Sequence, residues 1–144
     1  MIRSHLAAAP GPAAPVAGGM AEYRPGACNI GPAEIARRRR TGHVGLVATV
    51  LLLVALVALG LPSVTRLLLC LSAAVSAAGY LQAWLKFCAA YGSLGVFNFG
   101  VAGRTQQVVD AEARRRDRRR ALQISLASLL IGITVGLAAF LLPL

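Results

Sequence analysis

Arg37-Arg38-Arg39-Arg40-Thr41-Gly42-His43 runs straight into VGLVATVLLLVALVALGL, residues 44–61, a stretch without a single charge. As a helix it covers roughly 27 Å, enough for a bilayer core. Gly60-Leu61-Pro62-Ser63 ends it, and a second apolar run begins near Val64. The short connection makes the two an antiparallel hairpin. The second span is placed at 64–86, with its purely apolar part ending near Ala83. A second basic block, Arg114-Arg115-Arg116-Asp117-Arg118-Arg119-Arg120, precedes a third uncharged run at 121–142. Two spans separate the blocks, so both fall on the same side of a membrane, and the positive-inside rule makes that side cytoplasmic. The expected fold class is all-α: an integral membrane protein with three transmembrane helices in a bacterial inner (cytoplasmic) membrane. Its N-terminus is cytoplasmic and its C-terminus outside, with Arg66 the only basic residue on the outer side.

Composition agrees with that topology. The chain has 144 residues, 57% of them hydrophobic and 14% charged, with a formal net charge of +10. A water-soluble domain of this length needs more polar surface. Codon bias accounts for arginine over lysine, Lys86 being the one lysine, but not for two blocks set beside apolar spans. A basic protein can bind nucleic acid. Here the charges adjoin membrane-length segments, so anionic lipid headgroups are the nearer partner, at about 1 kcal/mol per basic residue close to the surface. No nucleic acid is expected.

Residues 1–22 are rich in Ala, Pro and Gly and read as a disordered tail. The apolar run at 6–9 is too short for a signal peptide, and Met20 offers an alternative translation start. Residues 23–42 form an amphipathic lead-in segment. Pro32 suits a first helical position, and Glu34 favours the positive end of the helix dipole and can pair with Arg37 or Arg38. A short interfacial helix from Pro32 to about Arg40 is expected, lying on the membrane surface with Ile30 and Ile35 inward. Six of the eight aromatics fall between Tyr80 and Phe99. Tyr80, Trp84, Phe87 and Tyr91 share a helical face, as expected where a helix leaves the membrane. Residues 91–120 form a basic cytoplasmic connector, glycine-rich and bent up to Gly103, then helical from Arg104 into the third span.

Chemistry-bearing motifs are scarce. There is no P-loop, C-x-x-C, H-E-x-x-H or G-x-S-x-G. No acid lies inside a span, which argues against a pump or coupled carrier. Cys28, His43 and Cys88 approach one face under this topology and form the candidate metal or thiol-redox set. Each cysteine is otherwise a small buried hydrophobe, as is Cys70. Asn29, Glu34, Gln82, Trp84 and Asn98 form the candidate docking interface between the lead-in segment and the exit of span two. The alternative is separate, solvated amides. Gly132-x-x-x-Gly136 is a close-packing step for helices, either within one chain or between two copies. The arginines Arg37, Arg38, Arg39, Arg40, Arg114, Arg115, Arg116, Arg118, Arg119 and Arg120 are the candidate lipid or partner contacts. At 100° per residue the second block wraps the helix as a collar.

The segments C-N-I-G-P-A-E-I-x-R-R, residues 28–38, and Y-L-Q-A-x-x-x-F-C, residues 80–88, resemble those of small prokaryotic multi-span membrane proteins. The likeness extends over roughly 23–103. It implies that the lead-in motif and the exit of span two belong together, and it implies no activity.

Three functions are compatible with these readings. The first is a non-enzymatic accessory or scaffold protein without cofactor, whose basic cytoplasmic face contacts anionic lipid and a membrane-protein partner or a second copy. The second is a metal or thiol-redox protein using Cys28, Cys88 and His43. The third is an oligomeric pore or small-solute carrier.

Overall fold

A computed structural model describes residues 23–101 and 103–143. It is mostly helical, in the order α1 (Pro32–Ala58), a 3-10 turn (Ser63–Leu68), α2 (Leu69–Trp84), α3 (Ala89–Leu94), β1 (Val96–Phe97), β2 (Gln106–Gln107) and α4 (Ala111–Leu141). Three helical stretches, Pro32–Ala58, Ser63–Trp84 and Ala111–Leu141, are long and apolar enough to cross a membrane. Their outer faces carry Val44, Val47, Leu51, Val54, Leu71, Leu126, Leu130 and Leu137, all exposed. An apolar surface this continuous suits hydrocarbon as a solvent.

The expected surface helix at 32–40 is not a separate element. Gly42 does not interrupt it, and α1 continues unbroken through the arginine block. The reason is packing. A side chain at Gly42 would sit 2.9 Å from the Tyr80 ring, and one at Gly79 would overlap the Gly42 backbone. Glycine here lets two helices touch, which outweighs its poor helix propensity. Ser76 Oγ donates to the Gly42 carbonyl at 2.9 Å. Thr49 Oγ1 donates to Gly45 O at 2.8 Å and lies 2.9 Å from Ser72 Oγ, within hydrogen-bond distance. A ladder of small and hydroxyl residues thus joins α1 to α2.

The opposite side of α2 receives α4. Gly132 abuts the Cys70 carbonyl and Ala74, and Gly136 abuts the Cys70 sulfur. The small-residue step of the third span therefore packs inside the chain. α2 stands in the middle, and α1 and α4 make little direct contact.

Turn chemistry sets the helix ends. Gly60, at φ +62°, closes α1, with Gly60 N bonding Val57 O and Leu61 N bonding Leu56 O. That is the Schellman arrangement. α2 ends the same way, with Phe87 N on Gln82 O, but its left-handed residue is Lys86 at φ +53°. This reversal turns the aromatic run off the helix. Phe87 is buried with Ala121 and Ile124, while Trp84 is 79% exposed. The 3-10 turn places Arg66 against the far end of α4, where it donates to Ala139 O at 3.2 Å and Leu142 O at 2.9 Å. A cation on terminal carbonyls matches the helix dipole.

The connector also differs from expectation. The helix expected from Arg104 begins at Ala111, capped by Asp110 Oδ2 on Ala113 N at 2.9 Å. An aspartate N-cap followed by Glu112 is a strong start signal. Residues 104–110 instead carry β2, antiparallel to β1 with Val96 opposite Gln107.

Replacing Gly79 with Leu is expected to cost about 1–3 kcal/mol through overpacking. It should lower the thermal midpoint in detergent, whereas Leu71→Phe on the exposed face should not.

Candidate functional site

The arginine-bearing end of the molecule is a docked headpiece. Its lead-in segment folds as a tight turn, with Arg24 N bonding Cys28 O at 2.9 Å and Ala27 N bonding Arg24 O at 3.0 Å. The chain then threads between the exit of α2 and the strand region. Asn29 N bonds Lys86 O, Asn98 N bonds Asn29 O at 2.9 Å, and Gly31 N bonds Asn98 O at 2.8 Å. Asn29 is fully buried, and its amide is satisfied by backbone: Nδ2 donates to Cys88 O at 3.0 Å, and Oδ1 accepts from Cys88 N at 2.7 Å. Gln82 Oε1 accepts from Ala89 N at 3.2 Å, the start of α3. Asn98, also buried, donates to Val101 O at 3.0 Å and accepts from Gly100 N at 2.9 Å. The three amides each hold a strand or helix end that would otherwise leave backbone groups unpaired.

Two buried carboxylates pin this headpiece. Glu34, 1% exposed, accepts from Tyr91 Oη at 3.0 Å and from Gly103 N at 3.1 Å, and it lies 3.8 Å from both Arg37 and Arg38. Asp117, fully buried, accepts from Tyr23 Oη and from Gly26 N, both at 2.7 Å. Tyr23 also stacks on Phe97, with centroids 4.8 Å apart. Burial and the Asp117 carboxylate raise the Tyr23 phenol above its usual pKa, and burial and Glu34 do the same for Tyr91.

The structure sorts the expected site residues. Asn29, Glu34 and Asn98 meet in the docking network, whereas Gln82 holds the start of α3 through Ala89 N and makes no hydrogen bond to the lead-in segment. Trp84 stays outside the network, because the turn at Lys86 leaves it on the outer face of α2. Cys28, His43 and Cys88 are not gathered into a metal site. Among the described residues no three His, Cys, Asp or Glu side chains are grouped to hold an ion. Cys28 Sγ contacts Ile30 O, Cys88 Sγ receives Arg38 Nη2 at 3.0 Å, and His43 Nδ1 lies 2.7 Å from Tyr80 Oη. Arg38 is drawn inward, 5.8 Å above the Tyr91 ring, while Arg37, Arg39 and Arg40 face outward.

In the second block Arg114, Arg115, Arg116, Arg118 and Arg119 are exposed and Arg120 is half-buried. Arg114 donates to Val108 O, Arg116 pairs with Glu112, and Arg120 reaches Gln123. Arg114, Arg115 and Arg118 line a cleft of about 570 Å³ with Leu94, Gly95 and Val108. The collar is therefore interrupted. Its Asp117 face turns inward, and sequence reasoning missed this anchor with Tyr23 and Gly26, as it missed the Tyr91 contact with Glu34. The available signal was a single acid set within six arginines.

Comparison of the chain with protein-family models, with curated proteins and with solved structures gives no match.

Asp117→Ala removes the acceptor of two hydrogen bonds, each worth about 1.5–3 kcal/mol to a charged group. Maleimide labelling of Cys28, read by peptide mass spectrometry, should rise about tenfold or more, with Arg119→Gln as an unchanged control. The Tyr23 and Tyr91 contacts hold in full below about pH 10 and weaken as pH rises through their raised folded values. Alkaline titration should therefore release the lead-in segment, a loss followed by near-ultraviolet dichroism. Tyr23→Phe should remove the Tyr23 part of that pH dependence.

Proposed function

We propose that this chain is a non-enzymatic accessory or scaffold protein of a bacterial inner membrane. In this reading its three helices span the bilayer, the arginine-bearing headpiece is cytoplasmic, and the C-terminus is outside. Outward-facing arginines hold the headpiece at anionic headgroups. The rigid surface beside them, with exposed Trp84, Leu94 and Val109, is offered to a membrane-protein partner.

One observation carries this reading. The polar groups that could perform chemistry, Glu34, Asp117, Asn29, Asn98 and the Cys88 thiol, are spent on holding the lead-in segment in place. What remains exposed is mainly arginine and apolar surface, the materials of contact, with Asp110, Glu112 and His43 the exposed acids and imidazole among the described residues. Both arginine blocks belong to one end, because Asp117 in the second binds the segment that leads into the first. Arg66 and the end of α4 form the other end. That arrangement supports an odd number of crossings with the positive-inside orientation.

Reporter fusions test the topology. A fusion after Pro143 should report the periplasm, and an insertion at Asp110 the cytoplasm. Both reporters in one compartment would overturn the reading.

A further inference from the structure

We propose that a groove between α1 and α2 seats one anionic phospholipid, with its phosphate on Arg37 and Arg40 and one acyl chain along Val44, Gly45, Ala48 and Val75. The proposal rests on the headpiece lying at an anionic membrane surface, and it adds a single, shaped site to that reading.

The groove has a volume of about 460 Å³ and is mainly apolar, lined by Val44, Gly45, Ala48 and Val75 with Thr41 and Ser72 beside them, and Arg37 and Arg40 border it at the headpiece end. Its shape follows from helix geometry. Arg37, Arg40, Val44 and Ala48 recur every three or four residues and form one stripe of α1. Gly45, beside that stripe, has no side chain, because a Cβ there would lie 2.7 Å from the Ser76 nitrogen of α2. The close approach that joins the helices therefore leaves the floor low, and Val75, exposed on α2, builds the opposite wall. From Arg37 to Ala48 the stripe runs roughly 16 Å. The apolar part, from Val44 to Ala48, accounts for roughly 6 Å of that, enough to seat the headgroup-proximal part of one acyl chain.

Charge selects the occupant. Among the described residues Arg40 has no ion pair, and Arg37, with its side chain 61% exposed, has only the Glu34 carboxylate at 3.8 Å. That carboxylate is shared with Arg38 and accepts from Tyr91 and Gly103. Two cations thus stand over an apolar channel at the height where a phosphate would lie. Guanidinium groups match phosphate oxygens well. A second copy in the groove is disfavoured. Copies in one membrane share an orientation, so an isologous contact on this stripe would set arginine against arginine.

Native mass spectrometry of the full chain in detergent tests the site, with phosphatidylglycerol and phosphatidylcholine titrated separately. The expected result is one phosphatidylglycerol retained per chain in preference to phosphatidylcholine. Arg37→Gln with Arg40→Gln should weaken retention roughly thirtyfold. Ala48→Trp, which fills the channel and leaves both arginines in place, should abolish it. Arg115→Gln with Arg118→Gln should leave it intact. All three variants alter exposed positions, and an unchanged thermal midpoint verifies their folding. Equal retention by the Ala48→Trp variant and the wild type would overturn the groove while sparing the general attraction to anionic lipid. Equal retention of phosphatidylcholine, which has the phosphate but no net charge, would overturn the selection of an anionic lipid, and a bound protein in place of lipid would overturn the choice of occupant. If anionic lipid is also not enriched around the wild type in mixed nanodiscs, the broader reading of the arginines fails as well.

Discussion

Backbone contact between α1 and α2 at Gly42 and Gly79 sets the height of everything above it. It fixes the first helix against the second so that the start of one lies beside the exit of the other. Only from that register can Asn29 reach the Cys88 backbone and Glu34 reach Tyr91. In a solvent that offered no hydrogen bonds, as the apolar outer faces would suit, such contact would come from small residues and hydroxyls rather than bulk. Gly42, Gly45, Thr49, Ser72 and Ser76 supply both. The same logic repeats on the far side of α2, where Gly132 and Gly136 admit α4.

Above this scaffold two acids, Glu34 and Asp117, are buried and accept from phenols and backbone amides, Asp110 and Glu112 stay exposed, and most of the arginines point outward. Burying a carboxylate is costly unless its lone pairs are met. Asp117 meets that condition with Tyr23 on one oxygen and Gly26 on the other, whereas Glu34 takes Tyr91 and Gly103 on Oε1 and leaves Oε2 with only the Arg38 guanidinium, 3.8 Å away, to offset its burial. Removing the inward acids would leave the same net character on the surface but nothing to tie the lead-in segment to α4. Their role is therefore architectural, although they stand within the most charged stretches of the chain.

The three long apolar helices are legible from composition, since eighteen uncharged residues in a row have few other uses. The continuity of α1 through Gly42 is not, because glycine reads as a weak point until its partner Gly79 is known. Trp84 misleads for a related reason. The one-face spacing of Tyr80, Trp84, Phe87 and Tyr91 presumes a helix, and a left-handed Lys86 ends it where sequence would ask for glycine. Asn29, Gln82 and Asn98 announce by their polarity that they need partners. That those partners are mostly backbone groups is a property of the assembled chain. The β1–β2 pair is two residues long and leaves no periodic trace.

The three helices make a row, with α2 between neighbours that scarcely meet, rather than a triangle. One end of the row is clamped by the Asp117 contacts, and the α2–α4 side is clamped again at Arg66. The far tip of α1 is held by its short connection to the 3-10 turn that carries Arg66, and its start by the Glu34 contacts. If the helices span a bilayer, thinning or thickening would then be met by the row tilting as a unit rather than by one helix moving alone.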